Sequence, residues 1–341
     1  MQSLDVHRAL FVHNDWARDK LMGLTAELDD EGLDRAFEMG FGSLRGTLHH
    51  LWAAERVWLD RWAGKAEPVY PDMEAGLAMA DLRGRWVRTA GERDALLDQA
   101  GPDGYARPVR FTDKQGRECA FALGDLIIHV CNHAMHHRAQ ALNMLRHVGV
   151  KPPGLDYLFM RVDESFAQPP VPDFDLDVIG RYFAYGDWAQ ERIRAVAATL
   201  TDGQLDRPFE MGVGSVRITL VHICDAERWW LDNWIHGPTK EYDKFPPTLS
   251  MAELRDVFER TVQGRNAFLD KTDAPALQRE TSAWVTPERK LTFVLGETML
   301  QLHNHGTHHR AQVRNMLRHL GADCRPLDYL AWLRETAAEC A

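Results

Sequence analysis

An internal repeat is the feature of this sequence that most constrains its fold. Glu38-Met39-Gly40 with Gly42-Ser43 recurs as Glu210-Met211-Gly212 with Gly214-Ser215, which is 172 positions later (210 minus 38). The same offset relates further residues without a gap: Trp16 and Trp188, His50 and His222, Glu55 and Glu227, Trp58 and Trp230, His133 and His305, and Asp156-Tyr157 and Asp328-Tyr329. A repeat of this length predicts two copies of one domain.

The length of the chain and one proline-rich segment place the boundary between the copies. A chain of 341 residues suits two domains of ordinary size. The segment Gln168-Pro169-Pro170-Val171-Pro172 cannot continue a helix and favours extended backbone. We therefore predict a first domain over residues 1–163, a linker over 164–175 and a second domain over 176–341.

The spacing of apolar residues within each copy is helical. It predicts four long helices at about 5–27, 43–64, 78–98 and 121–148, with counterparts 172 positions later. Ser43 and Ser215 are placed to cap the second helix of each copy. Between the third and fourth helices, two strand-like stretches flank Asp113-Lys114-Gln115-Gly116 and indicate a small β-hairpin. The predicted fold class is all-α, with two tandem four-helix bundles, each carrying a small hairpin.

Composition and charge exclude several classes of function. The formal net charge is -10 and no run of basic residues is present, so we expect no nucleic-acid partner. No stretch of about 18 apolar residues occurs, and the first five residues do not resemble a signal peptide, so we expect a cytoplasmic protein that spans no membrane. The cysteines form no C-x-x-C pair and are expected to be reduced thiols; they are Cys119, Cys131, Cys224, Cys324 and Cys340.

Histidines on two helices of each copy are spaced as metal ligands. His133 and His137 are four residues apart, so on a helix they lie within roughly 40° of each other on one face. His50 supplies a third imidazole from the second helix. The second copy repeats the set as His222, His305 and His309. Three imidazoles leave at least one coordination position open, which is typical of a catalytic rather than a structural zinc site.

Other polar residues near these positions have competing interpretations. His136 and His308 lie at i, i+3 spacing and are alternatives to His137 and His309 as ligands. Three histidines or cysteines that change between the copies are predicted not to be ligands; their pairs are His49 and Val221, His129 and Gln301, and Cys131 and His303.

Glutamine, glutamate and tryptophan residues also recur on these helices. Gln140 and Gln312 fall on the ligand face and are candidate catalytic residues that would hydrogen-bond a metal-bound water or substrate, with buried packing as the alternative. Glu55 and Glu227 lie about 140° around the helix from the ligand and are predicted to form salt bridges. The repeated tryptophans are more typical of a core than of a pocket lining; they are Trp58, Trp62, Trp230 and Trp234.

The combined pattern resembles a known family. H-x-x-x-x-E with a following Trp, joined to N-H-x-x-H-H-R-x-Q, is similar to the DinB/YfiT-like family over both halves. The resemblance implies a four-helix bundle of up-down-down-up type with one divalent ion, zinc or nickel, per domain. Carried over, the ligands are His50, His133, His137, His222, His305 and His309. Ala139 and Ala311 depart from the glycine that many members have there, which leaves the ligands unaffected.

The resemblance determines the reaction less closely than the fold. It implies a metal-dependent S-transferase or related enzyme that acts on a small-molecule substrate with a small thiol as co-substrate. A non-catalytic metal-binding stress or sensor protein is the alternative, and a metal-dependent hydrolase is a weaker one because no H-E-x-x-H motif is present. Relatives with one domain often pair, so we also expect the two halves to form an intramolecular pseudo-dimer.

Overall fold

The computed structural model describes residues 5–65, 68–72, 74, 76–113, 116–286, 288–322 and 325–339. In chain order its elements are α1 (Asp5–Thr25), α2 (Asp30–Asp34), α3 (Leu44–Trp62), α4 (Met79–Ala100), a 3-10 helix (Pro102–Ala106), β1 (Pro108–Thr112), β2 (Glu118–Ala122), α5 (Leu123–His147), α6 (Tyr157–Arg161), α7 (Leu176–Ala197), α8 (Asp202–Leu205), α9 (Val216–His236), α10 (Met251–Leu269), α11 (Ala274–Leu277), β3 (Glu280–Thr286), β4 (Arg289–Val294), α12 (Leu295–His319) and α13 (Tyr329–Glu339).

The chain forms two compact units. The first comprises Met1–Leu155, Phe166–Pro172 and Asp328–Ala341, and the second comprises Asp156–Ser165 and Asp173–Leu327. The short segment with helix α6 therefore belongs to the second unit, and the segment with helix α13 belongs to the first. The predicted bounds 1–163, 164–175 and 176–341 describe the sequence repeats and stay a prediction, as does the pseudo-dimer.

Four long helices form the core of each unit, as predicted. In the first unit α1 and α3 both pack on α4 and α5, so α1 and α3 lie diagonally across the bundle. In the second unit α7 and α9 likewise both pack on α10 and α12. Apolar side chains on the inner faces, such as Leu48 and Ile127, are fully buried. Burial of these helix faces supplies most of the stabilising free energy of such bundles.

Local signals in the sequence determine where the ligand-bearing helices begin. Ser43 precedes α3, and its hydroxyl accepts a hydrogen bond from the backbone N–H of Gly46 at 3.0 Å. Ser215 caps α9 in the same way, with Ile218 as donor at 3.3 Å. Each cap satisfies a backbone donor that the first turn leaves without a helical partner. The predicted capping serines are confirmed.

A two-stranded antiparallel hairpin leads directly into the last long helix of each unit. Strands β1 and β2 pair from Pro108 with Ala122 to Thr112 with Glu118, and α5 begins at the next residue. Strands β3 and β4 pair in the second unit with an irregularity between Trp284 and Thr286. The predicted hairpin is confirmed, although Lys114 and Gln115 of its expected turn lie outside the described residues.

A buried ion-pair network joins three helices in each unit. The Arg93 guanidinium on α4 is 2.8 Å from the Glu55 carboxylate on α3 and 2.6 Å from the Asp15 carboxylate on α1. Arg265 pairs with Glu227 and Asp187 in the same way. The predicted salt bridges of the two glutamates are confirmed. Because removal of one partner would leave a buried charge uncompensated, the network fixes how these helices pack.

The remaining expectations from composition concern cysteines and membranes. Cys119, Cys131 and Cys224 are free thiols, and the last two are buried. Cys324 and Cys340 lie outside the described residues. None of the helices in the described ranges is sufficiently long and apolar to cross a membrane.

Gly124 gives a direct test of packing at the start of α5. A Cβ atom at this position would lie 2.0 Å from the Tyr105 ring, whereas a Cβ at Gly91 on the exposed face of α4 would meet nothing within 4 Å. We expect Gly124→Ala to lower the free energy of unfolding by about 1–3 kcal/mol through overpacking. Gly91→Ala should instead raise it by about 0.5–1 kcal/mol because it removes backbone entropy from the unfolded chain. Urea unfolding followed by circular dichroism measures both, and equal stability of the two variants would contradict this packing.

Candidate metal centre

The predicted histidines come together in both units. His50 on α3 meets His133 and His137 on α5, and the nitrogen ligand atoms of the three lie within 4.8 Å of one another. The helical spacing of four residues places both α5 histidines on the face that packs against α3. His222 on α9 forms the same group with the α12 pair, His305 and His309. We refer to these groups as the first and second triads.

Distances within the triads fit a bound cation. The Nε2 atoms of His50 and His133 are 3.1 Å apart, and those of His222 and His305 are 3.0 Å apart. A tetrahedral ion with metal–nitrogen distances near 2.0–2.1 Å would separate its ligand nitrogens by about 3.3 Å. Only small adjustments would be needed to seat such an ion between each pair.

Hydrogen bonds on the opposite ring nitrogens orient the first triad. The Nδ1 atom of His137 is 2.7 Å from the amide oxygen of Gln140, which can only accept, so Nδ1 carries the proton. Nδ1 of His50 contacts the hydroxyl of Tyr70, whose own O–H is 3.4 Å from the His50 carbonyl oxygen. Burial raises the pKa of Tyr70 to about 12, so its hydroxyl stays protonated. With Nδ1 protonated, Nε2 presents its lone pair to the centre of the triad.

The second triad is oriented by a carboxylate as well as an amide. Nδ1 of His309 is 2.7 Å from the amide oxygen of Gln312, as in the first triad. Nδ1 of His305 is 3.1 Å from Oδ2 of Asp156, a residue that precedes the linker in sequence but belongs to this compact unit. A carboxylate behind a ligating imidazole fixes its tautomer and increases its basicity.

Burial keeps two histidines of the second triad, His222 and His309, in the neutral form that metals bind. Desolvation, reinforced by neighbouring His305, lowers the pKa of His222 to about 4. Desolvation also holds the pKa of His309 well below its ordinary value. Burial alone would raise the pKa of Asp156, but its hydrogen bond and charge interaction with His305 hold that pKa well below the usual range. Neutral imidazoles at His222 and His309, with an ionised carboxylate behind His305, suit a divalent cation.

The alternative histidines lie beside the triads. His136 and His308 are not members of either group; their Nε2 atoms are 3.4 Å and 2.9 Å from the amide nitrogens of Gln140 and Gln312. Each glutamine amide therefore bridges two neighbouring imidazoles. His49 and His129 also lie outside the groups. A contact of Gln140 or Gln312 with a metal-bound water or substrate stays a prediction, because both ends of each amide are engaged with imidazoles here.

The repeated Glu-Met-Gly segment forms a loop against this amide. Gly40 has a φ of +57°, and a Cβ there would lie 2.5 Å from the Thr47 hydroxyl and 3.4 Å from the Gln140 amide oxygen. Only glycine accommodates both the positive φ and this close approach. The next residue, Phe41, is half exposed and stacks on the His50 ring with centroids 3.5 Å apart. The loop therefore brings an aromatic side chain to the outer side of the first triad.

A small cavity adjoins each triad. The first has a volume of about 20 Å³ and is lined by His133, Glu55 and Trp58 among others; the second has about 30 Å³ and is lined by His305 and Glu227. Either volume holds about one or two waters, or a small group of a substrate. The four repeated tryptophans are buried, as the core interpretation predicts, and Trp58 also lines the cavity.

Two residues beside the ligands were not identified from sequence. Tyr70 lies between α3 and α4 in a segment without helical periodicity, but it recurs at the 172-residue offset as Tyr242. Asp156 carries a usable signal, because Asp156-Tyr157 recurs as Asp328-Tyr329. The recurrence indicates a shared role, but only the fold shows which unit each pair joins.

Comparison with known proteins agrees with the motifs and the geometry. The chain is 24% identical over 167 residues to Protein DinB of Bacillus subtilis (strain 168), covering 46% of this chain and 95% of that protein. No solved structure matches the chain. The family model described as DinB family matches residues 1–168 and again 175–339. The chain therefore belongs to the DinB family and contains two DinB domains in tandem.

Proposed function

We propose that each triad binds one divalent metal ion, zinc or nickel, and that the protein is a metal-dependent transferase acting on small molecules with a thiol co-substrate. The observation that carries the proposal is the convergence of imidazole Nε2 atoms whose Nδ1 partners are acceptors. The Nε2 atoms of His222 and His305 are 3.0 Å apart, a separation at which they can share a proton, and a divalent ion seated between them would accept a lone pair from each.

The open side of each triad suits a reaction on a bound thiol. Three neutral imidazoles leave at least one coordination position free and leave the positive charge of the ion uncompensated. When bound, such an ion would act as a Lewis acid that favours a thiolate over a thiol at neutral pH. The protein residues would orient the ligands and exclude bulk water from the cavity beside His133 or His305.

The charged residues of the cavities favour transfer over hydrolysis. General-base activation of a water that is not bound to the ion requires a carboxylate or imidazole free to accept its proton. Glu55 and Glu227 line the cavities, but each is held by a buried arginine. Asp156 contacts the Nδ1 side of His305, away from the centre of the triad. A thiol has a much lower pKa than water, so on binding it would release its proton to solvent and would need no such base.

Metal stoichiometry tests the first part of the proposal. We expect the wild type to bind one zinc or nickel ion per triad, because each triad provides a complete set of imidazole ligands. His133→Ala and His305→Ala should each abolish one site, and the double variant should abolish both. His129→Gln is the matched control, since the second half has glutamine at this position and His129 lies outside the triad. Elemental analysis after dialysis measures the stoichiometry, and full metal content in the double variant would contradict the assignment.

Thiol-dependent turnover tests the second part. Metal-loaded wild type is expected to convert aryl halides or epoxides in the presence of small cellular thiols, forming a carbon–sulfur bond as the halide leaves or the ring opens. Either single variant should lose the activity of its own site, while His129→Gln should keep both. The double variant should fall to the uncatalysed rate. If no thiol supports turnover in the metal-loaded wild type, the non-catalytic metal-binding alternative replaces the transferase.

A further inference from the structure

The carboxylate of Asp156 does not cap the helix that this residue precedes. Asp156 is the residue immediately before helix α6, where an aspartate side chain normally accepts from the first backbone N–H groups of the helix. Its side chain makes no such capping bond. Instead Oδ2 lies 3.1 Å from Nδ1 of His305 and 3.3 Å from the amide nitrogen of Gln301. The carboxylate is therefore directed at a member of the second triad.

Gln301 takes over the capping role that Asp156 gives up. Its amide oxygen accepts from the backbone N–H of Leu158, in the first turn of α6, at 2.9 Å. Its amide nitrogen donates to Asp156 Oδ2, so one side chain caps the helix and holds the carboxylate. Gln301 lies one helical turn before His305 on α12, which places it on the same face as the ligand. Both ends of the Gln301 amide are therefore satisfied, with the oxygen accepting from Leu158 and the nitrogen donating to Asp156.

The equivalent aspartate of the first unit behaves differently. Asp328 precedes helix α13, and its Oδ1 accepts from the backbone N–H of Ala331 at 3.0 Å, as an ordinary cap does. The same oxygen is 3.9 Å from Nδ1 of His129, which occupies the position of Gln301 and is not in the first triad. One substitution between the repeats, His129 for Gln301, thus accompanies the change in the use of the carboxylate.

We propose that Asp156 is a positioning residue for the second metal site, held in place by Gln301, and that the site depends on this residue from the other sequence repeat. The inference rests on the proposed metal binding. By accepting from Nδ1–H, the ionised carboxylate holds His305 in the tautomer and orientation that direct Nε2 to the ion. The segment 175–339 that matches the family model does not contain Asp156, so the second DinB domain is complete as a metal site only together with residues that precede the linker.

Each site can be measured alone in the full-length chain. His133→Ala disables the first triad and leaves the second, while His305→Ala does the reverse. Zinc affinity is then determined by competition with a chromophoric chelator. In the His133→Ala background, Asp156→Asn should weaken zinc binding about 10- to 100-fold. Gln301→His, which copies the first unit, should also weaken zinc binding, because the Asp156 carboxylate loses its hydrogen bond from the Gln301 amide.

The matched control is the equivalent aspartate. In the His305→Ala background, Asp328→Asn should leave zinc affinity of the first site within about twofold, because the contacts of this carboxylate are to Ala331 and His129. A second readout separates positioning from general stability: in the zinc-loaded protein, the Nδ1–H proton resonance of His305 should move upfield in Asp156→Asn, as the hydrogen bond to a charged acceptor is lost. Thermal unfolding of the apoprotein shows whether each variant remains folded.

The outcomes distinguish this inference from the proposal on which it rests. Weaker zinc binding with a shifted His305 resonance in Asp156→Asn supports the positioning role. Zinc affinity and resonance unchanged from the His133→Ala parent would overturn it, while metal binding itself would stand. Failure of that parent to bind zinc at all would overturn the metal proposal and the role of Asp156 together.

Discussion

Three imidazoles that meet inside a helical bundle are the constraint on which most of the surrounding structure depends. To offer its Nε2 lone pair to an ion, each ring must be held in one tautomer and against rotation. Every ligand whose Nδ1 partner is described has an acceptor at that atom: Tyr70, Gln140, Gln312 or Asp156. Gln140 and Gln312 are buried and lie against the glycine loops at Gly40 and Gly212, and Asp156 immediately precedes the short helix α6. The repeated motifs are thus parts of one arrangement.

The buried ion pairs provide the rigidity that this arrangement needs. Arg93 joins α4 to carboxylates on α1 and α3, and Arg265 joins the corresponding helices of the second unit. Each network shares a helix with the triad of its unit, since Glu55 lies on α3 with His50. A buried pair contributes little net stability compared with apolar packing, but a mispaired arrangement leaves a charge uncompensated. The pairs therefore favour one relative placement of the helices, and with it one placement of the ligands.

The two domains share their ligands and differ in what surrounds them. A half-exposed phenylalanine stacks on His50, whereas Val213 stands at the same position of the second copy. Tyr70 contacts Nδ1 of His50, whereas the hydroxyl of its counterpart Tyr242 accepts a hydrogen bond from Arg228. Differences of this kind change ligand basicity and access while leaving the coordination set intact. Duplication has therefore kept the ligands constant while the residues behind them diverged.

Local sequence determines the fold and the ligand residues to different degrees. Helical periodicity predicts the four long helices of each unit to within a few residues, and the i, i+4 spacing identifies His133 and His137. The same spacing leaves His136 as an alternative to His137, and the structure places His137 in the triad and His136 beside it. Tyr70 and Asp156 both recur at the 172-residue offset, but the repeat does not show their roles, because those arise from packing between separate segments of the chain. No local sequence pattern indicates that α6, which follows the first repeat, belongs to the second unit or that α13 belongs to the first.

The most direct test of the account is X-ray absorption spectroscopy of the fully zinc-loaded protein. If both triads coordinate through Nε2, the average zinc environment should contain three imidazole nitrogens at about 2.0–2.1 Å, with the multiple-scattering pattern of the ring and one further light-atom ligand. The double variant of His133 and His305 should lose this signature. A zinc environment dominated by sulfur, or one with fewer than two imidazoles per ion, would contradict the triads as the metal sites.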